Sequence, residues 1–109
     1  MKLERARGTR DFSGGDALQR QQIVGTLREV FELYGYNPLE TPVIERFDTL
    51  ASKYAGGEEI LKETFRMKDQ GGRELGLRYD LTVPMCRFIA TNQNLKMPFK
   101  RYQIGSVFR

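Results

Sequence analysis

The chain has 109 residues, one domain's worth, and its 39% hydrophobic and 29% charged residues match an ordinary globular domain. A net charge of +4 leans weakly toward a polyanionic partner, but the charges are interspersed and form no basic tail. With no histidine and a single cysteine, Cys86, this segment has no imidazole acid–base catalyst, no internal disulfide and no Cys/His zinc site.

In chain order, residues 1–12 lack a clear period, and Gly8 with Thr9, Arg10 and Asp11 suggests an extended arm with one turn. Ile23, Leu27, Val30, Phe31 and Tyr34 fall on one face of an amphipathic helix over roughly 16–34. Ser13 or Asp16 is placed to cap its start, and Gly35 to stop it in the left-handed conformation. YNPLETPVIE reads as a short strand interrupted at Pro42, at an edge or interface. Residues 46–62 suggest one or two short helices, broken at Gly56-Gly57.

TFRMKDQGGRELGLRYDL reads as a hairpin, with Phe65 and Met67 alternating before the turn Asp69-Gln70-Gly71-Gly72 and Leu75 and Leu77 after it. A second helix is expected over about 81–92, with Leu81, Met85, Phe88 and Ile89 on one face and Pro84 tolerated in the first turn. Cys86 is expected to face the core beside Phe88 and Ile89. After Met97-Pro98, Lys100 to Arg109 alternates like a strand. Hairpin-joined strands with separated helices indicate an α+β fold with a mainly antiparallel sheet flanked by helices. Neither a dinucleotide fingerprint nor a P-loop is present. No apolar stretch approaches the length of a membrane span, and nothing after Met1 resembles a signal peptide, so a reducing, cytoplasmic setting away from membranes is expected.

RGTRDF, the amphipathic helix followed by YGYNPLETPVIE, LRYDLTVP and KRYQIGSVFR occur in this order. Together they resemble the class II aminoacyl-tRNA synthetases and, within them, the histidyl-tRNA synthetase family. RGTRDF is similar to that family's N-terminal signature and ELGLRYDLTVP to its histidine-site segment. The helix with Pro42 resembles motif 1, and KRYQIGSVFR resembles the first half of motif 2. The resemblance covers about Arg7 to Arg109 and implies that residues 1–109 are the N-terminal part of a catalytic domain. The family's motif 2 continues with an acidic residue after its arginine, so the expectation is a truncated front half, inactive by itself.

The resemblance gives Arg109 the ATP α-phosphate and the amino acid carboxylate, a task suited to a planar, always-charged guanidinium fork. Without it, Arg109 reads as a solvated cation, and its side chain is expected to be free in this chain. Asp80 and Thr82 would bind the α-ammonium of histidine through a carboxylate and a hydroxyl. Read on their residue types alone, either one simply caps the following helix. Relatives carry Glu at the position of Asp80, so the shorter side chain here requires a substrate that approaches closer. Arg78 could be a structural ion-pair partner, and Tyr79 either lines the pocket or packs on the sheet.

Leu27, Phe31 and Pro42 would lie at a homodimer interface, with Arg7, Gly8, Arg10 and Asp11 near it; equally, the helix face packs on the domain's own sheet. Lys100 and Arg101 suit either tRNA phosphate or plain solubility. The implied activity is histidine–tRNA ligation with histidine, ATP and tRNA(His) as substrates and Mg²⁺ on the phosphates, its ligands outside this chain and no metal site within it. The rival readings are the synthetase-like regulatory subunit of ATP phosphoribosyltransferase and a non-catalytic dimerisation module.

Overall fold

A computed structural model describes residues 1–52 and 57–109, arranged in two units, residues 1–36 and 37–109. The first unit begins with an arm lacking regular structure, turned at Gly8 (φ 81°), where the Thr9 N–H donates to the Ala6 carbonyl. On this arm the Phe12 ring carries Arg10 and Arg20, whose guanidinium carbons lie 5.0 and 3.9 Å from its centroid.

Helix α1 spans Gly14–Leu33. Ser13 is its N-cap residue but makes no side-chain cap bond, and Asp16 sits in the first turn, where its charge suits the helix dipole. The stop at Gly35 is as expected. With φ at 83°, the Gly35 N–H donates to the Glu32 carbonyl and the Tyr36 N–H to the Phe31 carbonyl, the paired bonds of a Schellman ending. No residue of α1 is buried, and Ile23, Leu27 and Val30 on its apolar face are exposed.

The second unit begins with β1 (Asn37–Pro38) and continues through β2 (Ile44–Arg46), α2 (Phe47–Leu50), α3 (Glu58–Glu63), β3 (Arg66–Lys68), β4 (Glu74–Leu77), α4 (Thr82–Thr91) and β5 (Arg101–Tyr102). A three-stranded antiparallel sheet has the order β2-β4-β3, and β1 pairs in parallel with β5. The fold is α+β. The expected hairpin forms, closed by Gly72 (φ 80°). There Asp69 accepts from the Arg73 backbone N–H (2.9 Å) and Nε (2.6 Å). These bonds, the backbone one foremost, hold the Asp69 carboxyl below its ordinary value against the opposing effect of partial burial.

Two expectations change. The proline-containing stretch is not one interrupted strand but two strands in different sheets, because both prolines lack the N–H a continuous ladder needs. Of the alternating segment after Lys100, only Arg101–Tyr102 is strand; beyond it the Phe108 N–H donates to the Arg78 carbonyl, and side-chain bonds at Gln103, Ser106 and Arg109 hold the rest. Short helices occur at α2 and α3 as read, and Gly57 caps α3, but Gly56 lies outside the described residues.

The core of the second unit is small: Leu50, Tyr79 and Val83, with Ile60 packed against them. Tyr79 is therefore a core residue, 1% exposed, and its hydroxyl donates to the Leu50 carbonyl at 2.8 Å. In α4 the buried residues are Val83 and Pro84, whereas Leu81, Met85, Phe88 and Ile89 are only half-buried.

Candidate substrate-binding site

The segment linking β4 to α4, Arg78 to Leu81, carries the residues singled out in the sequence. Arg78 is 4% exposed and forms no ion pair among the described residues. Its Nε donates to the Ser106 carbonyl (2.8 Å) and its Nη1 to the Thr41 carbonyl (3.1 Å), while its backbone N–H donates to the Val43 carbonyl. The expected ion-pair role is thus replaced by a tie between three chain segments. A rigid fork serves such carbonyl acceptors well because its donors point in fixed directions.

Asp80 and Thr82 line one pocket of about 430 Å³ that runs along α4, with Cys86 and Arg87 further along and Thr49 and Ser52 on the α2 side. Asp80 is the cap: its Oδ1 accepts from the Val83 N–H at 3.0 Å. Among the described residues Oδ2 has no hydrogen-bond partner, and the Thr82 side chain makes no cap bond. Capping and pocket lining therefore coexist in Asp80, while Thr82 lends its exposed position to the pocket alone. Cys86 is exposed, contrary to the expectation of a core thiol; it shares the pocket-lining face of α4 with Thr82, one turn away.

Arg109 is not free. Its Nε donates to the Tyr79 carbonyl at 3.3 Å, so the guanidinium lies beside the backbone that leads into Asp80. Arg101 turns its Nε onto the Met85 sulfur at 2.8 Å, and Lys100 is exposed. Leu27 is exposed on α1, one turn from Phe31, whose half-buried ring meets the Tyr36 ring edge-on at 6.5 Å. Pro42, in the second unit, is exposed just before β2.

Sequence reasoning missed a buried ion pair. The Arg87 Nε donates to both carboxylate oxygens of Glu45, at 3.0 and 2.9 Å, and the Glu45 side chain is only 5% exposed. The signal for Arg87 was present: a lone cation between Met85-Cys86 and Phe88-Ile89 needs a partner if its helix packs. Glu45 gave none: with Val43 and Ile44 both apolar, alternation does not say which face of the strand is inward, and the structure buries Glu45 between two exposed neighbours.

A model of the family described as histidyl-tRNA synthetase matches residues 8–109. A histidine–tRNA ligase of Bacillus cereus is 47% identical over all 109 residues, which cover 26% of that relative. Histidyl-tRNA synthetase from Nostoc sp. PCC 7120 superposes with a TM-score of 0.87 at 30% identity, covering 100% of this chain and 24% of that one. A Bacillus halodurans protein described as an ATP phosphoribosyltransferase regulatory subunit/histidyl-tRNA synthetase does so at 0.86 and 28% identity, covering 98% of this chain and 28% of that one. The chain spans about a quarter of the length of the curated relatives it matches. With the family's pattern matched from Gly8 to Arg109, and Asp80, Thr82 and Arg109 gathered around one short segment, the chain belongs to the histidyl-tRNA synthetase family.

Proposed function

We propose that residues 1–109 are the N-terminal part of a class II catalytic domain, motif 1 and the first half of motif 2, in a histidine–tRNA ligase. The observation that carries this reading is the convergence of Asp80 and Thr82 on one pocket, with Arg109, outside that pocket's lining, bonded to the carbonyl of Tyr79, the residue before Asp80. The Asp80 Oδ2 and the Thr82 hydroxyl receive the α-ammonium of histidine. Arg109 bridges the histidine carboxylate and the ATP α-phosphate.

A carboxylate oxygen then attacks the α-phosphorus, the bond to the β-phosphate bridging oxygen breaks, and pyrophosphate leaves. A terminal ribose hydroxyl of tRNA(His) next attacks the activated carbonyl, and AMP departs. The chain's contribution is orientation and charge stabilisation rather than a nucleophile or general base. Mg²⁺ accompanies the phosphates in this reading. Among the described residues no group of three His, Cys, Asp or Glu side chains could hold an ion, so no step here is routed through it.

The exposed Ile23, Leu27 and Val30 of α1 support a two-fold homodimer interface, in which the resemblance also places Phe31 and, separately, Pro42. No helix among the described residues is long and apolar enough to cross a membrane, and the proposed activity belongs in the cytoplasm.

The test is ATP–pyrophosphate exchange by the intact gene product carrying these residues. Exchange with histidine and with no other amino acid is expected. A folded product that binds histidine without exchange would instead be the regulatory subunit, a reading the fold alone does not separate. Residues 1–109 alone are expected to give no adenylate.

A further inference from the structure

Resting on the proposed site, we infer that Glu45 makes the pocket selective for an ammonium-bearing ligand by neutralising Arg87. On β2 Glu45 points inward, 6% exposed, while its neighbours Ile44 and Arg46 face out. Burying a carboxylate is costly unless a partner compensates it, and the pair with Arg87 does so with both oxygens on one nitrogen. Opposite Glu45 on β4 stands Gly76, which adds no side chain to that face.

The consequence is electrostatic. Arg87 and Asp80 are the charged residues among those lining the pocket, and Glu45 sits behind Arg87 without lining it. Left alone, the Arg87 cation would cancel Asp80 and repel an incoming ammonium. With Glu45 bound to it, the site keeps one uncompensated carboxylate, that of Asp80, where a cation is wanted. Asp80 and Arg87 line the same pocket, so an unpaired Arg87 charge would act on any ion that Asp80 binds there.

The experiment compares binding of histidine and of its deamino analogue, 3-(imidazol-4-yl)propanoate, to the intact gene product by calorimetry. Glu45→Gln leaves the Arg87 charge in place and is expected to weaken histidine roughly tenfold relative to the analogue, which carries the same carboxylate but no ammonium. Adding Arg87→Met to it is expected to restore histidine binding. Equal weakening of both ligands, or of neither, overturns the proposal, since a merely structural pair would not distinguish them.

Where Glu45→Gln does not fold, Glu45→Met/Arg87→Met, which buries no lone charge, replaces it. That variant is expected to keep the wild-type preference for histidine, and loss of the preference overturns the proposal. Asp80→Asn serves as the reference and is expected to abolish the preference. A wild-type protein without the preference sinks the ammonium site itself rather than the role of Glu45.

Discussion

Tyr79 joins the core to the site. Its ring is the largest fully buried side chain, its hydroxyl bonds the end of α2, and its carbonyl receives Arg109. Burial, and secondarily the charge of Asp80, raises its pKa above the ordinary value of 10.0. The unfolded chain therefore loses this proton first as pH climbs. The stability Tyr79 contributes is complete below the ordinary tyrosine value and is lost as pH rises through the higher folded one. Tyr79→Phe leaves the Leu50 carbonyl without this donor and is expected to cost about 1–2 kcal/mol at neutral pH. It should also flatten the alkaline loss of stability, which urea unfolding across that range would measure.

At the scale of elements, the hairpin and α1 were legible because their determinants are local. The turn at Gly72 and the stop at Gly35 each need a positive φ that glycine supplies, and the residues bonded to them lie a few positions away. Gly76 has a different reason, invisible in the sequence. A Cβ there would stand 2.8 Å from the Leu50 side chain and 3.0 Å from the Phe65 carbonyl, and Leu50 is 0% exposed with little room to yield. Gly76→Ala is expected to destabilise the second unit by about 1–3 kcal/mol through overpacking, read as a lowered denaturation midpoint. The face of α4 was half legible. The helix itself was legible, but what each side meets depends on β2 and α2, so helical period put Cys86 in the core and did not single out the buried Val83 and Pro84.

At the scale of the molecule, distant partners decide what sequence patterns cannot. The parallel pairing of β1 with β5, the pairing of Glu45 with Arg87, and the ties made by Arg78 all join segments far apart in the chain. The candidate site was more legible than these because Asp80 and Thr82 lie within three residues of one helix start. Arg109 was read as free, whereas its Nε is bonded to the Tyr79 carbonyl, a partner thirty positions away that no local pattern indicates. Arg78 holds the segments around Thr41 and Ser106 against the end of β4, so its loss should be felt beyond its own site. Arg78→Lys keeps the charge but not the fork and is expected to cost about 2–3 kcal/mol. Hydrogen exchange should then rise around residues 41–43 and 106–108 together, and a change confined to one of them would contradict the shared tie.

The short pairing of β1 with β5 also bears on self-association. The N–H groups of Asn37 and Leu39 both turn toward β5, donating to the carbonyls of Lys100 and Tyr102, so the nitrogen of Pro38 between them faces the opposite side. That nitrogen carries no hydrogen. A stray strand approaching this outer margin finds no donor at its centre and cannot extend the ladder by templating, which guards an otherwise open edge against fibre growth.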